Sequence, residues 1–223
     1  MRDIGTIALK EFWELRHSLR HIYWMVVWLA ILAFIAFSDT SKSILPTTAL
    51  LAFSPSMVAL AGSGQIALDS VLSEKKTKTL EVLLSTKIPT LAIVIGKIIS
   101  PTIIGYFFSL LAVGFLMLLP LMGASFSITP ATAWLIFAYP LLISSLASCI
   151  SIVTTIIIPD EKVAPIIGTL ILITPLIILI RLGVFSLATT AIISFILGSI
   201  LFSGLVTWFA SYVLGKTPMF TKM

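Results

Sequence analysis

Residues Ile98–Pro159 read IISPTIIGYFFSLLAVGFLMLLPLMGASFSITPATAWLIFAYPLLISSLASCISIVTTIIIP, with not one charged side chain. An apolar helix of about 20 residues, rising 1.5 Å per residue, crosses the hydrocarbon core of a bilayer. This run therefore has room to finish one crossing, turn near Pro120–Pro130 and return. The rest of the chain is built alike: 59% of its residues are hydrophobic and 10% charged, with a mean hydropathy of +1.17. A soluble domain carries roughly 25% charged residues to solvate its outside, so the outer surface of this chain faces lipid. The expected fold is an all-α membrane protein.

Charged residues mark the other crossings. Ile22–Phe37 is the first, Lys42 and Asp69 bracket a second uncharged run, and the third follows Pro89 with Lys97 in its first turns. Asp160, Glu161 and Lys162 end the fourth. Val163–Ile180 is the fifth, closed by Arg181, and the sixth lies within Ser186–Leu214. With six transmembrane helices and the N-terminus inside, only Lys42 and Arg181 of the fourteen Lys and Arg residues fall outside. That asymmetry is the positive-inside pattern and predicts a multi-pass cell-membrane protein with both termini cytoplasmic. It also accounts for the net charge of +5 without nucleic acid.

Residues 1–21 contain no uninterrupted apolar core, so no cleavable signal peptide is expected. Ile4, Ile7, Ala8, Phe12, Leu15, Leu19 and Ile22 share one helical face. Arg2, Lys10, Glu14, His17 and Arg20 share the other, with Glu11 on the apolar side. This spacing predicts an amphipathic helix lying in the membrane interface. Within the spans, Pro55, Pro101, Pro140 and Pro175 free carbonyls that neighbouring helices or hydroxyls must satisfy. Ser199, Ser203, Thr207 and Ser211, and likewise Ala147, Ser151 and Thr155, form small-residue stripes suited to close helix packing, with the lining of a substrate path as the alternative.

The connection Ser73–Pro89, SEKKTKTLEVLLSTKIP, is longer than a hairpin between two spans requires. It reads as a separate amphipathic helix opened by Thr77 or Thr79, with Leu80, Leu83 and Leu84 on one face. Lys78, Glu81 and Ser85 are polar, Glu74 and Lys78 are spaced for an i,i+4 ion pair, and Pro89 stops the helix. Its apolar face either folds back on the inner ends of the spans or docks in a groove on a soluble partner.

Glu74, Thr79-Leu80-Glu81, Leu83-Leu84, Pro89 and Gly96-Lys97 resemble the signature of type-2 ABC transporter permeases. The resemblance extends to the N-terminal helix, the six-span layout and the short connection Pro159-Asp160-Glu161-Lys162. It implies that Glu74, Lys78, Thr79, Leu80, Glu81, Leu83 and Leu84 form a coupling element seated on an ABC ATP-binding subunit. Asp160 and Glu161 would make a second, smaller contact, and Lys97 would anchor the inner membrane end. It also implies an exporter built from two permeases, a second copy or a paralogue, working by alternating access. ATP and Mg would be bound by the partner, with no cofactor in this chain.

On this reading the chain is a single transmembrane domain. Residues 1–21 are the interfacial helix, 22–72 spans one and two, and 73–88 the cytoplasmic coupling segment. Residues 89–158 are spans three and four, 159–162 the second contact, 163–214 spans five and six, and 215–223 a cytoplasmic tail. The family often carries re-entrant helices or an external domain between spans five and six; here only about a dozen residues remain for one.

No enzyme active site is expected. Gly215-Lys216-Thr217 mimics the end of a P-loop, but Ala210 stands where that motif needs glycine, and no strand precedes it. His17 and His21 have metal-ligand spacing without a completing ligand. Asp160-Glu161 is a charged turn with no substrate cleft, and the single Cys149 excludes both an intramolecular disulfide and a Cys-based zinc site. Two other functions remain: an ion-coupled secondary transporter, disfavoured because no ionisable group lies deep in a span, and a membrane scaffold, which leaves the connecting helix without a purpose. The uncharged interior favours apolar or amphipathic cargo over bare ions.

Overall fold

The computed structural model describes residues 2–16, 27, 47–85, 88–117, 130–158, 160, 163–164, 166–168, 170–171 and 189–216. Six helices are delimited among them: α1 (Arg2–Arg16), α2 (Thr47–Lys76), α3 (Thr79–Ser85), α4 (Thr90–Leu116), α5 (Pro130–Ile157) and α6 (Thr189–Lys216). No strand occurs among the described residues. The expected first span, the turn near Pro120–Pro130, Pro175, most of span five, the histidine pair and the C-terminal tail lie outside them.

Three stretches of the described helices are long and apolar enough to cross a membrane: Thr90–Phe115, Ile136–Ile157 and Leu197–Leu214. These coincide with the expected spans three, four and six. The fourth long helix, α2, has 30 residues and so runs about 45 Å. It continues past Asp69 to Lys76, so residues 73–76, assigned from sequence to the coupling segment, are the last turn of α2.

The core lies where α2, α4 and α5 meet. Ala67, Val71 and Ile152 form one buried cluster, flanked by Ile98 and Ile156. Val94 of α4 closes on Ala210 and Leu214, and this second cluster holds α6 against the bundle. Ala147, Ser151 and Thr155 are all buried, which agrees with a packing stripe. Pro55, Pro101 and Pro140 are fully buried inside their helices. Beside Pro101, the Thr102 hydroxyl donates to the Ile98 carbonyl at 2.7 Å and lies 3.2 Å from Ser148 Oγ, joining α4 to α5.

α2 and α4 approach closely at Gly105, where a Cβ would sit 2.6 Å from Ser63 Cβ and 3.0 Å from its backbone nitrogen. A side chain there must separate the two helices, whereas Gly114 has nothing within 4 Å of its position. Gly105→Leu is expected to cost at least about 1–3 kcal/mol by overpacking, and Gly114→Leu to be close to neutral. Thermal unfolding of the two detergent-solubilised variants measures the contrast; equal losses would show that the close approach is not made.

The N-terminal helix uses its expected apolar face against protein. Ile7 is buried, and a Cβ on Gly96 would lie 2.8 Å from Ile7 Cγ2, so α1 is docked on α4. A second apolar pair, Leu9 and Trp13, is exposed on α1. The i,i+4 spacing of that pair was not part of the expected face.

Candidate functional site at the end of α2

The junction between α2 and α3 is a built corner. Thr77 N–H donates to the Ser73 carbonyl at 3.0 Å and Lys78 N–H to that of Lys75 at 3.2 Å. The Thr77 hydroxyl also reaches the Ser73 carbonyl at 2.9 Å and lies 2.8 Å from the Thr79 hydroxyl. Lys78 has a φ of 56°, the left-handed conformation that ends a helix and that costs a non-glycine residue about 1–2 kcal/mol. The chain therefore leaves α2 in a fixed new direction, and α3 begins at Thr79. This corrects the expected Glu74–Lys78 ion pair: Lys78 stands beyond the end of α2, where i,i+4 spacing no longer stacks two side chains.

Glu74 turns inward instead. It is 4% exposed, with Oε1 2.8 Å from Lys10 Nζ of α1 and Oε2 2.8 Å from Lys97 Nζ of α4. Lys97, 3% exposed, also donates to Ser70 Oγ at 3.0 Å. Lys97 is thus one half of a buried ion pair, early in α4. Glu74 lies beyond Asp69, outside the uncharged run of its helix. Burial alone would raise its carboxyl pKa; the Lys97 and Lys10 ammoniums outweigh that and hold it below the usual carboxylate range. It is ionised at neutral pH.

The next residue points to a different helix. Lys75 Nζ binds the Thr155 carbonyl and lies 3.4 Å from those of Ile156 and Ile158. These belong to the final turn of α5 and the residue just after it, where helix carbonyls lack intrahelical donors and carry the negative end of the helix dipole. Thr154, by contrast, is already satisfied by Ile158 N–H at 2.9 Å. Consecutive residues at the end of α2 thus join α1 and α4 through Glu74, and α5 through Lys75.

Of the expected coupling residues, Thr79 is exposed and Leu83 half-buried, while the side chains of Leu80, Glu81 and Leu84 lie outside the described residues. Val82, which the leucine pattern passed over, is an exposed apolar side chain among the described residues of α3, at 66%. Asp160 is exposed, and its carbonyl accepts from Ala164 N–H at 3.0 Å; Glu161 is outside the described residues. Through Lys75, the α3 corner and the segment beginning at Asp160 are held at one end of the bundle. Lys10, Ser70, Lys75 and Val82 were not legible as members of this site, since their partners are distant in sequence or on no shared pattern.

A second feature lies within the apolar helices. A cavity of about 420 Å³ opens between α4, α5 and α6, lined by Ile95, Ile99, Cys149, Ser203, Thr207 and Trp208 among others. The α6 hydroxyls are turned to their own helix: Ser203, Thr207 and Ser211 each donate to the carbonyl four residues earlier. Trp208, at the cavity wall, stacks on Tyr212 with ring centroids 5.8 Å apart. Among the described residues no group of three His, Cys, Asp or Glu side chains is placed to hold a metal ion.

No protein-family model matches the chain, and no curated protein is similar to it.

Proposed function

We propose that this chain is the membrane permease subunit of an ABC exporter, forming the path for cargo while a separate subunit binds and hydrolyses ATP. The observation that supports this most is α3: a short helix on a rigid left-handed corner, braced by buried charge and carrying the outward-facing Val82. A helix so held is suited to receive a push from a partner and pass it to the bundle. The remaining features of the reading are six spans, both termini cytoplasmic, an ATP-binding partner and a second permease, with the Asp160 segment as a lesser contact. The apolar cavity between α4, α5 and α6 favours apolar or amphipathic cargo.

A second reading, an ion-coupled transporter, draws on Lys97, an ionisable group buried within the membrane-length part of α4. Its pairing with Glu74 makes it a structural charge rather than a carrier of protons. Proton-gradient-driven uptake by the chain alone in vesicles, abolished by Lys97→Met, would favour this second reading.

Two measurements test the proposal. An ATPase encoded beside this chain is expected to copurify with it and to drive cargo into inside-out vesicles; transport without any ATPase would overturn the reading. In a Cys149→Ser background, cysteines at Ser41 and Ser125 are expected to react with an impermeant thiol reagent from outside, and one at Thr77 only after permeabilisation. Labelling of Thr77 in intact cells contradicts the topology.

A further inference from the structure

We infer that Lys75 is a positioning residue that makes the two cytoplasmic contacts of the permease, α3 and the segment beginning at Asp160, move as one body. The inference rests on the permease reading for its functional consequence, but the mechanical tie is a property of the chain alone.

The two contacts are far apart in sequence and belong to different helices, so nothing covalent near them keeps their spacing. Lys75 stands three residues before the left-handed Lys78 that launches α3, and its ammonium sits among the carbonyls of Thr155, Ile156 and Ile158. Asp160 follows two residues after the last of these. A cation gathered by several helix-end carbonyls makes charge-assisted hydrogen bonds, stronger than neutral ones and favoured by the helix dipole. The alternative partner for those carbonyls is water, which would leave the last turn of α5 and the residues after it held to α2 only by the apolar packing of Val71, Ile152 and Ile156, with no polar tie at the end.

Neighbouring Glu74 gives the tie its direction. Its pairs with Lys10 and Lys97 fix the same turn of α2 to α1 and α4, so the corner cannot rotate to release Lys75 without disturbing a buried pair. A push on α3 is then carried to α5 by Lys75 and to α4 by Lys97. Arginine at position 75 keeps the charge and several donors; methionine keeps the length and apolar stem but loses both.

The test uses the full chain with spin labels on cysteines at the exposed positions Ser85 and Val163, in a Cys149→Ser background and in lipid nanodiscs. Wild type and Lys75→Arg are expected to give one narrow inter-label distance. Lys75→Met is expected to broaden it, with the held arrangement disfavoured by at least about tenfold. In vesicles containing the copurified ATPase, Lys75→Met is expected to lower cargo moved per ATP hydrolysed, with Lys75→Arg restoring it; mere loss of folded protein lowers both rates together and leaves that ratio unchanged. An unchanged distance distribution in Lys75→Met overturns the tie, whatever the transport result. A broadened distribution with an unchanged transport-to-hydrolysis ratio overturns the coupling role. If no ATPase copurifies with the wild type, the permease reading fails, while the distance measurement still decides the tie.

Discussion

Glu74→Ala is expected to destabilise the folded chain more than any other single change in the charged cluster, by about 3–5 kcal/mol. The reason is asymmetry of burial. Removing the carboxylate takes the counter-charge from Lys97, which is 3% exposed and cannot turn to water without opening the contact between α2 and α4. Lys97→Met is expected to cost less, because Glu74 keeps Lys10 at 2.8 Å. Lys10→Ala is expected to cost only about 0–1 kcal/mol, since the Lys10 side chain is 42% exposed and its pair is screened. The double variant Glu74→Gln with Lys97→Met removes both buried charges together and should recover much of the Glu74→Ala loss. Thermal unfolding in detergent gives the order. A Glu74→Ala protein as stable as wild type would mean that the buried pair is not formed, and Lys10→Ala matching Glu74→Ala would place the important charge on the wrong helix.

That cluster shows where the sequence stops being informative. The membrane-length helices were legible because their signal is local: long charge-free stretches mark where α4, α5 and α6 lie, although no charge separates α4 from α5 and Lys97 stands inside α4. Their facing sides were legible only where small residues form a stripe, as Ala147, Ser151 and Thr155 do on α5; α4, apolar all round, has none to orient it. Lys97 stood out as a charge early in α4, but its partner, Glu74, lies on another helix and was matched instead to Lys78, four residues on. The error came from the corner. No glycine marks the end of α2, and a lysine at positive φ gives no warning that helical spacing has ended.

The same limit applies to α1 and to the last turn of α2. The Ile4–Ile7 face of α1 was read correctly from its periodicity, yet its use against Gly96 rather than lipid depends on a glycine far along the chain. Lys75 looked like one basic residue among several and became a cap on α5 only in three dimensions. On α3, the sequence pattern marked a helix, but seven residues are too few to tell which apolar side chain faces the bundle and which faces away.

That last distinction sets the test of the docking surface. Val82 is 66% exposed and Leu83 half-buried, so of these two Val82 is the more open to a partner. Fully burying a valine is worth up to about 1.5–3 kcal/mol by area transfer, reduced by the costs of association. Val82→Asp replaces that gain with the cost of desolvating an unpaired carboxylate, several kcal/mol in a closed interface. At 1.4 kcal/mol per factor of ten, ATPase affinity is expected to fall by about a hundredfold or more, without loss of folded chain. Leu83→Asp is expected to weaken partner binding as well, but also to lower thermal stability, because that side chain is partly packed. Copurification of each variant with the ATPase, set beside its unfolding temperature in detergent, separates the two effects. If Val82→Asp retains the ATPase and full transport, α3 is not the docking helix, and the permease reading loses the surface on which it chiefly rests.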